Sequence, residues 1–214
     1  MSCTNCGREG HSVSECTHEK RVEGLTDSSM REEFVTGMIR EPNLMRGRYD
    51  LISPLALNRV AVFVDGFIMI PTLGLEMLAI HYERGALKYA PRNWEKGGYL
   101  SRYLNSAIRH AQKVLAEDMQ EDHISAIVWN CFSIMHTEMM IAAGNLPSEL
   151  NDLCAYDIEY TPYVPVSLSD KKVILNDIMS NLNRYQAGDR SFDIMALVAY
   201  EALVLRSKAE DKNE

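Results

Sequence analysis

Along this 214-residue chain the apolar positions fall in runs of helical spacing, separated by short polar or Pro/Gly-rich breaks. Apolar residues are dense and helix-compatible from Leu55 to Phe67 and again from Leu73 to Tyr89. The intervening MIPTLG, with Pro71 and Gly74, predicts an interruption. APRNWEKGGYLS reads as a loop, and helices follow over about 101–116 and about 121–143. The second of these carries Ile124, Ile127, Val128, Cys131 and Ile134 at helical spacing. A long connection with three prolines leads to two further helices, about 170–186 and about 190–208, and then to a charged tail. Ahead of all these, DSSMREEFVTGMI predicts a helix start, with Asp27, Ser28 or Ser29 as its cap. No segment alternates with a convincing period of two, so the pattern predicts an all-α fold.

One stretch echoes another. Shifted by 71 residues, LNSAIRHAQKVLAEDMQED lies over LNDIMSNLNRYQAGDRSFD, matching Leu104, Asn105, Ala116, Asp118 and Asp122 with Leu175, Asn176, Ala187, Asp189 and Asp193. Both copies read as helix, acidic turn, helix, which predicts a second helical hairpin packed beside the first.

Composition narrows the classes. A hydrophobic fraction of 46% is ample for a packed core. There is no apolar run of membrane-spanning length and no signal pattern at the start, so the expected place is the cytoplasm, with no membrane partner. The formal charge of −8 argues against a general polyphosphate binder: an anionic substrate would need local cations.

The first sixteen residues write C-x2-C-x4-H-x4-C as Cys3, Cys6, His11 and Cys16, with Gly7 and Gly10 between them. Zn2+ takes four such ligands tetrahedrally, and the spacing is that of a zinc knuckle. Residues 1–22 contain no Phe, Trp or Tyr, and their basic residues are balanced by Glu9, Glu15 and Glu19. Readers of single strands use aromatic platforms and cations, so a structural or protein-docking role is as open as single-stranded nucleic-acid binding. Cys131 and Cys154 are expected to be buried thiols.

Asp118, Asp122, Ala126 and Asn130 recur every four residues and share a stripe flanked by Glu121 and His123. The sequence around Asn130 is apolar almost all round, so this amide is expected inside the bundle. Glu76 and Glu83 lie two turns apart in the preceding helix. If their side faces the stripe, carboxylates converge and suit Mg2+ or Mn2+; the alternative is salt bridging with Arg84 or Lys88. KYAPRNWEKGG gathers Lys88, Arg92 and Lys96 around Trp94, a set able to hold phosphates and stack a base, or simply a loop anchored by one buried Trp. Arg109 and His110 would extend the cationic set.

The run from REEFVTGMIREPNLMRGRYDLISPLAL through HYERGALKYAPRNWEKGGYLSRYLNSAIRHAQKVL to EDHISAIVWN and NLPSELNDL resembles the dATP/dGTP diphosphohydrolase domain found in many bacteriophage proteins. That family is similar to the MazG-like all-α nucleoside triphosphate pyrophosphohydrolases. The resemblance marks Glu83, Gly85, Ala86, Lys88 and Tyr89, then Asn93, Trp94, Glu95, Lys96 and Gly97. It also marks Ser106, Arg109, His110, Glu121, Asp122, His123, Trp129 and Asn130. The chain departs from the family at Asn105 and Gln120, where members tend to carry acidic residues, and it lacks the adjacent glutamate pair of the MazG group.

The resemblance implies a MazG-like helical bundle, with a domain over 31–153 behind a knuckle (1–22) and a linker (23–30), and a C-terminal hairpin extension over 154–214. It implies hydrolysis of a purine (deoxy)nucleoside triphosphate to its monophosphate and pyrophosphate, in a homo-oligomer. Mg2+ or Mn2+ would be held by Glu83, Glu121 and Asp122, with Asp118 assisting, and would activate water. Lys88, Lys96 and Arg109 would neutralise phosphate, His110 or His123 would position water, and Arg92, Asn93, Trp94 and Asn130 would complete the substrate pocket. The competing expectation is a non-catalytic nucleotide- or nucleic-acid-binding protein that uses the knuckle, or a purely structural descendant of an enzyme.

Overall fold

The computed structural model describes residues 31–41, 46–154, 164–190 and 193–208. The chain divides into two compact units, residues 1–42 and 43–214. In the first, the described residues form an antiparallel hairpin of β1 (Glu32–Glu33) and β2 (Ile39–Arg40), with Glu32 opposite Arg40. The helix expected to start here is therefore absent at 32–40. Phe34 N–H donates to Met38 O and Gly37 N–H to Phe34 O, and Gly37 takes a φ of +80° that the turn requires. Gly37 between short apolar runs was the hairpin signal.

The second unit is all-α among its described residues. Its helices are α1 (Pro54–Phe63), α2 (Thr72–Tyr89), α3 (Leu100–Leu115), α4 (His123–Ala142), α5 (Lys171–Gln186) and α6 (Ile194–Ser207). Four of these six starts have a side-chain cap. Ser53 accepts from Ala56 N–H with Pro54 at the first helical position, while Asp122, Asp170 and Asp193 cap α4, α5 and α6. Gly74 does not break α2. It lies in the first turn, where an added Cβ would sit 2.5 Å from Leu203 O, so its missing side chain lets α2 and α6 approach closely.

Helix α4 runs through the centre, packed by α1, α2, α3 and α6, and buries nearly its whole circumference. By length and composition it could cross a membrane, but it serves here as the core of the bundle. The core also takes in Ile174, Ile178 and Leu182 of α5 and Met195, Val198, Ala202 and Leu203 of α6. The C-terminal hairpin, expected as an extension, thus belongs to the same core. Arg59 of α1 bridges Glu138 of α4 at 2.8 Å and the α6 cap Asp193 at 2.6 Å, and the Tyr185 hydroxyl donates to Glu138.

The sequence echo is a structural repeat. Helices α3 and α5 begin and end at the same 71-residue offset, and so do the starts of α4 and α6. Ala116 and Ala187 end the first helices, each followed by a positive φ, at Glu117 and Gly188. Lys113 pairs with Asp118 at 3.1 Å, as Arg184 pairs with Asp189 at 2.6 Å. Of the two cysteines expected to be buried, Cys131 is, its thiol pushed up to about 12 by burial, but Cys154 is exposed.

Candidate functional site

Helix α2 ends at Ala90 (φ +76°), and Arg92 also takes a left-handed φ of +58°, so the chain turns sharply into the short 3-10 turn Asn93–Lys96. This fold-back sets Trp94 edge-on to Tyr82 (ring centroids 5.6 Å apart) and to His136 (4.7 Å), while Tyr103 of α3 meets Trp129 of α4 at 5.9 Å. Between these rings lies a cleft of about 370 Å³ lined by His81, Gly85, Ala86, Tyr89, Arg92, Asn93 and Trp94, with Tyr103 and Trp129 opposite. Gly85 has open space where a Cβ would be, which keeps the α2 wall low. Aromatic walls with a few polar groups suit a planar heteroaromatic ligand.

A second, polar cleft of about 350 Å³ shares Tyr103 and Trp129 with the first. It is lined by Arg102, Asn105, Ser106, Arg109 and Asn130. Asn130 is buried as expected: its Nδ2 donates to Ala126 O at 2.7 Å and to Ser106 Oγ at 3.4 Å. Arg109 Nη2 reaches Ser106 Oγ at 3.3 Å and His110 Nε2 at 3.2 Å, which carries the polar cleft on to the α3–α4 turn.

At that turn His110 and His123, both buried, bring their Nδ1 atoms to 3.0 Å, and Glu121 Oε1 lies 3.6 Å from the first and 3.3 Å from the second. Burial, with Arg109 beside it, pushes His110 down to about 4, so the ring is neutral at neutral pH. Burial likewise lowers His81, against the opposing pull of Asp122 and Glu121. Lys88, exposed and 4.8 Å from the Tyr89 ring centroid, is within electrostatic reach of Glu121.

The expected all-carboxylate cage is not formed. Glu83 is buried on the other side of α2, where its Oε2 accepts from Gly47 N–H at 2.9 Å. Gly47 has a φ of +78°, and an added Cβ would stand 2.8 Å from the Ala79 Cβ, so only glycine seats that N–H there. Glu76 acts on Tyr49 in the same neighbouring segment. Asp122 accepts from Ser125 N–H (3.0 Å), Ser125 Oγ (2.8 Å) and Arg206 Nε (2.9 Å). Asp118 accepts from Gln120 N–H and pairs with Lys113. Only His110, Glu121 and His123 gather ligand atoms in one place among the described residues.

The remaining expected residues divide plainly. Arg92, Asn93 and Trp94 line the aromatic cleft, though Arg92 also pairs with Glu95 and donates to Asp50 O at 3.0 Å. Lys96 is exposed and outside the residues that line it. Cys3, Cys6, His11 and Cys16 lie outside the described residues. Sequence reasoning missed His81 and Tyr103. His81, Arg84 and Lys88 recur at i, i+3 and i+7 on α2, out of phase with Glu76 and Glu83, and that stripe was the available signal.

Residues 40–144 match the family model described as dATP/dGTP diphosphohydrolase, N-terminal, and residues 1–18 match the CCHC zinc knuckle. No curated protein and no solved structure matches the chain. The matched stretch, residues 40–144, holds the residues that line both clefts and the His-Glu-His turn, and over it the chain is similar to the dATP/dGTP diphosphohydrolase N-terminal domain.

Proposed function

We propose that this chain hydrolyses a purine deoxynucleoside triphosphate to its monophosphate and pyrophosphate. The observation that carries the reading is that an aromatic cleft and a polar one adjoin, with Tyr103 and Trp129 lining both. A purine lies between Tyr89, Trp94 and Trp129, with Asn93 at its edge. Its phosphates follow α3 past Arg102 and Arg109 and end at His110, Glu121 and His123. Lys88 faces the same end, and its charge offsets the chain's net −8 locally. A divalent cation at that end would neutralise phosphate charge and lower the pKa of a bound water. His110, neutral at working pH, and Glu121 supply the polar groups that orient water there.

This reading leaves Glu83 and Asp122 as positioning residues: one anchors the 46–51 segment, the other caps α4. It places the chain in the cytoplasm, where its substrate is, and supports zinc at Cys3, Cys6, His11 and Cys16 through the knuckle match. A homo-oligomer remains part of the reading by family resemblance. The two Trp residues of the chain, Trp94 and Trp129, both line the cleft, so tryptophan fluorescence tests base placement directly. Purine deoxynucleotides should quench it saturably and pyrimidine ones weakly; no response to any nucleotide overturns the placement. The knuckle match also favours a second reading, single-strand binding without turnover, which requires binding that disappears on zinc chelation.

A further inference from the structure

Three potential ligand atoms lie close together at the α3–α4 turn, and they are not the set that suits Mg2+. The sides of their triangle are 3.0, 3.3 and 3.6 Å, between His110 Nδ1, His123 Nδ1 and Glu121 Oε1. Around a cation bound at about 2.1 Å, adjacent ligands stand roughly 3.0 Å apart in an octahedron and roughly 3.4 Å apart in a tetrahedron. The triangle fits either. We infer that His110, His123 and Glu121 form a binding site for a borderline transition-metal dication such as Mn2+, Co2+ or Zn2+, separate from the knuckle. Two imidazoles and one carboxylate with open positions are the donor set such ions prefer, whereas Mg2+ takes oxygen.

A second observation supports an ion there. His123 is 2% exposed, and its far nitrogen, Nε2, lies 3.5 Å from Asp118 Oδ1. A carboxylate behind the far nitrogen is the arrangement that orients a metal-ligating histidine, keeping its proton on Nε2 and its Nδ1 lone pair forward. The other account of the turn is a plain hydrogen bond between the two rings. Arg109 is always a donor, so its contact with His110 Nε2 sets the proton on His110 Nδ1, facing His123 Nδ1. That account satisfies one pair but leaves two acceptors, His123 Nδ1 and Glu121 Oε1, facing each other at 3.3 Å. An ion satisfies all three.

Loading the site has a consequence for Arg109. His110 can bind an ion through Nδ1 only with its proton moved to Nε2, which expels the Arg109 donor. Arg109 is exposed and otherwise holds only a 3.3 Å contact to Ser106, so it is free to turn toward phosphate in the polar cleft.

The inference rests on the reading of this turn as the phosphate end of the site, yet its test needs no turnover. The full-length chain, with Cys3→Ser and Cys6→Ser to silence the knuckle, is stripped with chelator and titrated with Co2+ and then Mn2+. One ion per chain should bind, with nitrogen- and oxygen-ligand absorption bands for Co2+, and a hundredfold excess of Mg2+ should not displace it. Glu121→Gln, whose side chain is exposed enough to spare the fold, should weaken binding about tenfold, and His123→Ala more than tenfold. Arg109→Ala should tighten it. Displacement by Mg2+ at equal concentration, or unchanged affinity in Glu121→Gln, overturns the site; weaker binding in Arg109→Ala overturns the coupling. Absence of Co2+ and Mn2+ binding with pyrophosphate release intact would sink this inference and spare the proposed activity, while tight ion binding without nucleotide turnover would do the reverse.

Discussion

Asp122 commits its carboxylate to Ser125 and Arg206, and its worth is therefore read in stability. Burial alone would raise its pKa, but the Ser125 N–H and hydroxyl and Arg206 outweigh burial and hold it below the ordinary carboxylate value. A depressed folded pKa gives stability that is complete above the unfolded value, near pH 4, and is lost as pH falls through the lower folded value. Asp122→Asn should cost about 1–3 kcal/mol at neutral pH and flatten the acid limb of the stability curve. Denaturant unfolding at pH 7 and pH 3 checks this, and an unchanged acid limb would contradict the account. At this scale the sequence named the right neighbourhood and misjudged the partners. A four-residue stripe shows which residues share a face, but nothing in a single helix says that Glu83 meets Gly47 while His81 faces Glu121.

At the scale of elements, one bridge occurs twice in different surroundings. Asp189 is fully buried against Arg184, whereas Asp118 and Lys113 stand partly in solvent. Asp189→Ala removes the fully buried carboxylate that pairs with Arg184 and should cost about 1–3 kcal/mol, while Asp118→Ala should change stability little. Thermal melts of the two variants decide it, and equal losses would mean that the repeat is not differentiated. Gly74→Ala sets about 1 kcal/mol of helix propensity against a clash with the Leu203 carbonyl. Overpacking of this kind costs about 1–3 kcal/mol, so the variant should melt lower than the parent. Helix order and most helix ends were legible because the apolar period and the Pro/Gly breaks between the runs agreed. The hairpin at 32–40 was not, because acidic residues after Asp27 and Ser28 also describe a helix start.

At the scale of the molecule, the two clefts and the His-Glu-His turn all lie in the 43–214 unit, while the knuckle ligands precede it. Removing residues 1–22 should therefore leave nucleotide turnover largely intact; its complete loss would tie the knuckle to the active assembly. The all-α class was readable from periodicity, and the aromatic loop from Trp94 and its glycines. The adjacency of the two clefts was not, since it depends on α2, α3 and α4 meeting at Trp129 and Tyr103. The most direct measurement incubates the intact chain with each deoxynucleoside triphosphate and a divalent cation and separates the products. The account predicts equal amounts of purine monophosphate and pyrophosphate, abolished by chelation. Release of orthophosphate instead, or no turnover of any purine triphosphate, would contradict it.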